Sequence, residues 1–360
     1  MKPDRSGGIV EVEEFASHMV GKAHFTGVSD IHILPEGDQL FLIYFRIGGN
    51  MVLHKSIEKD EGERLISYFK YISNMDVGER RKPQSGSANL KNDYGVCALR
   101  FSIITNFRAQ ETMVIRLLSQ AKIQPLRTTT FFQKEVQEIE RLAKYKSGLL
   151  LFSGPVGSGK TTTMYQLIRE SSHRQKQQVI TVEDPVEIEE PSFLQCQVNE
   201  KAGISYSTLL RSSLRHHPDV LIIGEIRDEE TAKMAIRGAL TGHLIMASIH
   251  AKNTLGVLSR LEELGVSKEQ LHQSLLGIIY QKLIPRFCPL CQGNCHLSCP
   301  HYDMADKRAA LYEVLSKEQL EQIGRHREAY TLNRTFNSLL RKATSYGYIS
   351  EENCQKYQIP

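Results

Sequence analysis

Residues 154–161 read GPVGSGKT, which fits G-x-x-x-x-G-K-[ST] through Gly154, Gly159, Lys160 and Thr161. Such a stretch holds phosphate when it joins an apolar strand to a helix, and Leu149–Ser153 before it and Lys160–Glu170 after it supply both. Glycines let backbone N–H groups converge on a β-phosphate, and the helix N-terminus adds its positive end. Gly154, Pro155, Val156, Gly157, Ser158, Gly159, Lys160, Thr161 and Thr162 are therefore the expected cradle for ATP. Lys160 would reach the β and γ oxygens, and the Thr161 hydroxyl would ligate Mg²⁺. A glycine-rich turn that binds nothing is the alternative.

About sixty residues on, Asp219-Val220-Leu221-Ile222-Ile223-Gly224-Glu225 is an apolar strand ending in a carboxylate. At the C-terminal end of a neighbouring parallel strand such an acid points at the metal and the attacking water, and Glu225 has the reach to polarise that water. A buried strand that merely ends in an acid is the alternative. Glu183-Asp184-Pro185-Val186-Glu187 packs three acids after the strand Val179–Val182, and the proline turns them into the same crevice. Glu183 and Glu187 thus join Glu225 as candidate general bases. His243 and His250 flank the strand Leu244–Ile249. His250, at its C-terminal end, can contact a γ-phosphate; His243 has less to recommend it.

Four of the seven cysteines fall in Cys288-x2-Cys291-x3-Cys295-x3-Cys299. The first pair has knuckle spacing suited to tetrahedral Zn²⁺, and Cys295 and Cys299 stand one helical turn apart. All four are the expected zinc ligands, with His296 and His301 as spare donors. An iron–sulfur cluster or plain reduced thiols are the alternatives.

These groups need a scaffold. From residue 148 onward strands and helices alternate: Leu149–Ser153, Val179–Val182, Val220–Gly224 and Leu244–Ile249 as strands, with helices over Lys160–Glu170, Tyr206–His216, Glu229–Leu240 and Thr254–Leu264. The strands are near-continuous apolar runs, as a parallel sheet covered on both faces requires. Lys268–Ile284 reads as a further helix. Upstream, Glu11–Phe25 carries apolar residues at three- and four-residue steps, and from Ser29 the period changes to two. Asp60–Ile72 is again helical, and Val96–Ile104 and Met113–Leu117 read as strands of one sheet. The first part is thus α+β and the second α/β.

Composition limits the function classes. Apolar residues at 41% and charged residues at 24% exclude a wholly disordered chain. A net charge of +4 is too small for a protein that coats DNA through dense phosphate neutralisation. No apolar run reaches the roughly 18–20 residues that span a bilayer, and MKPDRSGGIVEVEEF has no apolar stretch of the secretory kind. The cytosol is the expected location, where cysteines stay reduced or hold metal.

The set GPVGSGKTTT, VEDPVE, HHPDVLIIGEIRDEETA and ALTGHLIMASIHAKN resembles the secretion ATPase family of type II secretion and type IV pilus assembly. SDIHILP at 29–35, GERRKPQSGS at 78–87, LRFSIIT at 99–105 and ETMVIRLL at 111–118 extend the resemblance into the first domain. It implies a phosphate loop, an acidic box, a second strand carboxylate and a histidine box. It also implies a homo-hexamer in which nucleotide lies between a RecA-like P-loop domain with a mostly parallel sheet and a smaller α+β, PAS-like domain before it. The match carries over Arg100 and Arg116 from the first domain, and Arg211 and Arg215 from the helix before the second carboxylate strand, as cations for the transferring phosphoryl group. Arg211 and Arg215 share a helical face and could equally be a solvated stripe. Arg100 and Arg116 sit inside apolar strands, where an unpaired guanidinium is costly, so an anionic partner is expected. Arg80-Arg81-Lys82 reads as a solvated turn. Assembly ATPases of this family also carry a four-cysteine zinc element, usually with a longer gap between pairs.

The expected boundaries are 9–120 for the first domain, 121–130 for a linker, 131–285 for the ATPase core, 286–302 for the cysteine cluster and 303–360 for a C-terminal helical segment. Only about thirty residues precede SDIHI, which favours the short members that assemble a competence pseudopilus for DNA uptake in Gram-positive bacteria. The implied partner is a polytopic membrane platform protein, with the motor peripheral on the cytoplasmic face. No direct nucleic-acid contact is expected, since nothing here supplies a basic channel lined with stacking aromatics. Rival readings are a pilus retraction ATPase, a protein-export ATPase, a DNA-translocating ATPase and a scaffold that binds ATP without hydrolysing it.

Overall fold

The computed structural model describes residues 7–47, 49–92, 95–118, 124–172, 176–199, 202–295, 299, 301–302, 306–325 and 334–360. They fall into two compact units, divided between residues 121 and 122.

The first unit runs α1 (Gly7–Phe25), β1 (Asp30–Glu36), β2 (Leu40–Ile47), β3 (Asn50–Glu58), α2 (Lys59–Ile72), β4 (Gln84–Asn92), β5 (Gly95–Thr105) and β6 (Glu111–Leu118). The strands make one antiparallel sheet in the order β3-β2-β1-β6-β5-β4. Period-two alternation gives it one buried face. Ile31, Ile33, Phe41, Ile43, Phe45, Phe101, Ile103, Met113 and Ile115 all lie on that face. Ala16, Met19, Val20 and Ala23 of α1 and Leu65, Ile66 and Phe69 of α2 complete the core. Each such Leu, Ile or Phe contributes about 1.5–3 kcal/mol by leaving water.

The second unit contains α3 (Gln133–Leu142), β7 (Gly148–Ser153), α4 (Lys160–Ser172), β8 (Val179–Glu183), β9 (Leu194–Gln197), α5 (Tyr206–Arg215), β10 (Val220–Ile223), α6 (Glu229–Leu240), β11 (Leu244–Ile249), α7 (Thr254–Glu263), α8 (Lys268–Ser274), β12 (Leu275–Pro285), β13 (Phe287–Cys288), β14 (Gly293–Asn294), β15 (Arg308–Ser316), α9 (Lys317–Arg325), α10 (Phe336–Ser345) and α11 (Glu351–Tyr357). Seven strands form a mixed, mostly parallel sheet in the order β15-β12-β7-β11-β10-β8-β9. Only β15 runs antiparallel to its neighbour. Apolar clusters cover both of its faces, and every residue of β7, β8, β10 and β11 is buried.

Three expectations are corrected here. Lys268–Ile284 is not one helix. It is α8 followed by β12, an eleven-residue strand parallel to β7. A continuous apolar run fits a buried strand as well as a helix, and only tertiary pairing decides. Gly277 marks the strand: a Cβ there would lie 2.6 Å from Leu142 Cδ1, so α3 packs directly on it. The C-terminal segment is likewise not helical throughout. It begins with β15, which pairs with β12 from Gly277↔Ser316 to Pro285↔Arg308. The expected linker also shortens. Leu126 is buried, and Thr130 bridges to Ala310, so residues 126–130 belong to the second unit. Residues 121–123 lie outside the described residues.

Candidate functional site

Four parallel strands end at the same edge of the sheet, and the expected nucleotide residues follow them. After β7 the chain turns through Gly154 at φ +145°, Gly157 at +74° and Gly159 at +84°, a left-handed series that side chains resist. At Gly154 space is also absent, since a Cβ would fall 2.2 Å from the Gln281 carbonyl oxygen of β12. Val156 at the tip is 82% exposed. Lys160 opens α4, and its Nζ donates to the carbonyls of Gly154 (2.9 Å) and Pro155 (3.1 Å). Burial lowers the Lys160 pKa, and the carboxylates of Glu225 and Glu187 partly offset this. Both acids therefore act on the lysine through space. Thr161 and Thr162 are half-buried in the first turn of α4.

Glu225 follows β10 and is held on both sides. Its Oε2 accepts from Arg227 Nε at 2.8 Å, and its Oε1 lies 3.3 Å from His250 Nε2. Arg227 also lies 3.7 Å from Asp184 Oδ2, so one guanidinium bridges the acids after β8 and β10. These pairings hold the Arg227 pKa up. Sequence reading missed Arg227; its signal was a cation two residues beyond a strand-ending acid. His250 is positioned from β7, because the Ser153 hydroxyl accepts from the Ala251 N–H at 3.1 Å. His243 stands at the opposite end of β11, where Gly148 N–H donates to its carbonyl. A six-residue strand separates the two histidines, about 20 Å.

The three acids of 183–187 are not gathered into one crevice. Asp184 and Glu187 are exposed, whereas Glu183 is buried. Glu183 shares a strand face with Thr181, and that face is covered by α4. Its Oε1 accepts from the Tyr165 hydroxyl at 2.5 Å and from Thr181 Oγ1 at 2.7 Å. Burial raises the Glu183 pKa against these hydrogen bonds. Glu183 is thus buried beneath Tyr165 and not turned outward with Asp184 and Glu187, which corrects the expected gathering of the three acids.

The arginines are also placed differently. Arg100 and Arg116 face each other in register on β5 and β6, on the open face of the first sheet. Both are exposed, so the cost of burial does not arise. Arg116 has the expected anionic partner, Asp30 Oδ1 at 2.9 Å. Arg46 lies opposite Asp30 on β2 with its Nε 3.8 Å from Oδ2. The row Arg46, Asp30, Arg116, Arg100 thus crosses four strands with three cations and one acid. In sequence, Arg46 reads only as a strand residue flanking the turn at 48–50 and is not a candidate site residue. Arg211 and Arg215 lie on the exposed face of α5, and Arg211 Nη2 donates to Glu230 Oε1 at 2.5 Å.

The loop joining β12 to β15 carries the cysteine cluster. Ligand atoms of Cys288, Cys291, Cys295 and His301 all lie within 4.8 Å of one another. Cys299 Sγ is 3.4 Å from Cys291 Sγ, 3.7 Å from Cys295 Sγ and 2.9 Å from His301 Nδ1. Tetrahedral zinc with about 2.3 Å Zn–S bonds needs sulfurs about 3.8 Å apart, so this donor set fits the ion. His301 joins the cluster on equal terms with the cysteines, and His296 lies outside the described residues.

Comparison with known proteins agrees with this architecture. A family model described as type II/IV secretion system protein matches residues 7–352. Competence protein ComGA of Bacillus subtilis (strain 168) is 37% identical over 349 residues, covering 96% of this chain and 98% of that protein. ComGA of Streptococcus pneumoniae is 42% identical over 273 residues, 76% of this chain and 85% of that one. Among solved structures, the pilus retraction motor PilT with bound ADP has a TM-score of 0.71 at 24% identity, covering 95% of this chain and 96% of that chain. The ATPase DotB of Legionella pneumophila has 0.71 at 19%, covering 95% and 94%. These two likenesses establish the α/β fold with a small antiparallel N-terminal sheet unit. Family and site together lead to one conclusion: the chain belongs to the type II/IV secretion system protein family and is an ATP hydrolase within it.

Proposed function

We propose that this protein is the cytoplasmic motor that powers assembly of a competence pseudopilus for uptake of transforming DNA. The observation that carries the reading is end-to-end likeness to ComGA, 96% of one chain against 98% of the other. Among the described residues no helix is long and apolar enough to cross a membrane, so work on pilin-like subunits would pass through a membrane partner. We take that partner to be a polytopic platform protein at the cytoplasmic face and the working form to be a hexamer. A strain deleted for this gene should lose transformation and surface pseudopili, and the wild-type gene should restore both. Normal transformation in the deletion strain would sink the reading.

At the site, residues 154–162 would hold the ATP phosphates, with Lys160 at the β and γ oxygens and Thr161 at Mg²⁺. The ion would neutralise phosphate charge. Glu225 would take the proton of the attacking water, with Arg227 and His250 fixing the orientation of its carboxylate. Glu187, exposed and felt by Lys160, is the reserve base. Arg100 and Arg116 would supply cations from the first unit, and Arg211 and Arg215 from α5. Arg100→Ala and Arg116→Ala should keep the melting temperature within a few degrees, since both side chains are exposed. Turnover should nevertheless fall at least roughly tenfold. Unfolding of either variant at ordinary temperature would make these charges structural.

We further propose that the cysteine loop holds one structural Zn²⁺ through Cys288, Cys291 and Cys295, with Cys299 in the fourth place and His301 beside it. Elemental analysis of protein prepared without added metal should give about one zinc per chain. Cys291→Ser should lose the metal and lower thermal stability more than ATP affinity, because ligand loss removes folding free energy from the β12–β15 connection. Zinc far below stoichiometry with four freely titrating thiols would leave only reduced cysteines.

A further inference from the structure

We propose that Gln281 is a positioning residue for the phosphate loop, turning its backbone toward the nucleotide. The inference rests on the phosphate-binding reading of residues 154–162. Gln281 lies on β12, a strand the sequence disguised as helix, and is fully buried. Its Nε2 donates to the Ser158 carbonyl at 2.6 Å, across 123 residues of chain. The same amide nitrogen is 3.4 Å from where a Gly159 Cβ would stand, and the Gln281 backbone carbonyl is what forbids a Cβ at Gly154. One residue thus touches the loop at its first glycine, at Ser158 and at its last glycine.

The consequence follows from the planar trans peptide. The Ser158 C=O and the Gly159 N–H belong to one peptide unit and point in opposite directions. Holding the carbonyl toward β12 turns the Gly159 N–H away from β12, where a loop of this kind presents its donors to phosphate. Beneath the loop, the Ser158 hydroxyl and Gln281 Oε1 are both buried without a hydrogen-bond partner among the described residues. An amide placed in such surroundings is expensive unless its one bond matters. The neighbouring strand braces the same region. Tyr312, in register opposite Gln281 on β15, meets Thr163 Oγ1 of α4 at 3.3 Å through its hydroxyl.

The test is Gln281→Met in the full chain, a substitution of matched length that removes only the polar end. Binding of ADP and of ATP in the presence of Mg²⁺ should weaken roughly tenfold, the worth of one hydrogen bond of this kind. KM for ATP should rise in step, while kcat at saturation stays within about threefold, because the misplaced donor is recovered once nucleotide is seated. A purely structural role would instead lower the melting temperature and leave the KM of the folded fraction unchanged. Should Gln281→Met not fold, Gln281→Asn keeps the amide but falls short of Ser158, and the same loss is expected. Nucleotide affinity within twofold of wild type in a folded variant overturns the proposal. Failure of the wild-type protein itself to bind nucleotide would overturn the reading of the loop instead.

Discussion

Lys160→Ala is expected to abolish ATP turnover, by roughly 10²–10³-fold or more, the scale seen when one preorganised charge is removed from a transition state. The argument is local. The ammonium lies against the Gly154 and Pro155 carbonyls, 2.9 and 3.1 Å away, at the mouth of a loop whose glycines prevent side chains from closing it. Partial burial lowers its pKa, and the carboxylates of Glu225 and Glu187 offset that, so the lysine sits between the loop and the acids. Phosphate charge develops between these groups during transfer, and alanine leaves it uncompensated. Lys160→Arg should also fail, since a planar fork replaces a compact point charge. Lys160 is only half-buried and its ammonium bonds only carbonyls of the loop itself, so the melting temperature should hardly move. Phosphate release by the purified variant is the measurement, and transformation frequency in cells should fall with it. Turnover within tenfold of wild type would detach the loop from the chemistry.

How much of this was legible depends on whether the signal was local. The phosphate loop declared itself because strand, glycines, lysine and helix are contiguous between Gly148 and Ser172. The strands β7, β8, β10 and β11 were legible for the same reason, being short apolar runs separated by helical periods. β12 was not, because Leu275–Pro285 carries an apolar run that either period accommodates, and its partners β7 and β15 come from distant parts of the chain. β9 is only four residues, half-exposed at a sheet edge, and offers almost no pattern. The site divides along the same line. Glu225 and His250 were marked by strand ends. Arg227, Arg46 and Gln281 act only through neighbours that the fold supplies, namely Glu225 with Asp184, Asp30, and Ser158. Glu183 was misjudged in the opposite direction. A run of acids looks like one cluster in sequence, yet strand alternation sends the last residue of β8 under α4 while Glu187 stays outside.

That separation sharpens what Glu225→Gln should do. The substitution preserves size and lets the amide oxygen still accept from Arg227 Nε, now 2.8 Å from Glu225 Oε2. The amide nitrogen can face His250 where Oε1 now lies 3.3 Å away. The strand ends stay tied through Gly224 N–H to the Val182 carbonyl and Ile226 N–H to the Ser248 carbonyl, both at 2.8 Å. Fold and nucleotide binding should therefore survive, with Kd for ATP within a few-fold of wild type. Hydrolysis should drop by about 10²–10⁴-fold, the usual contribution of a positioned base, because an amide cannot accept the proton that the attacking water must lose. The variant should accordingly accumulate with ATP bound and uncleaved, measurable as nucleotide retained after rapid desalting. Near-normal turnover would remove Glu225 as the base and leave Glu187, because Glu183 is sealed beneath Tyr165 and Thr181. Glu187→Gln in the same assay then decides between the two: with Glu225 as base, it should alter turnover by less than tenfold, its carboxylate reaching the site only as a field on Lys160.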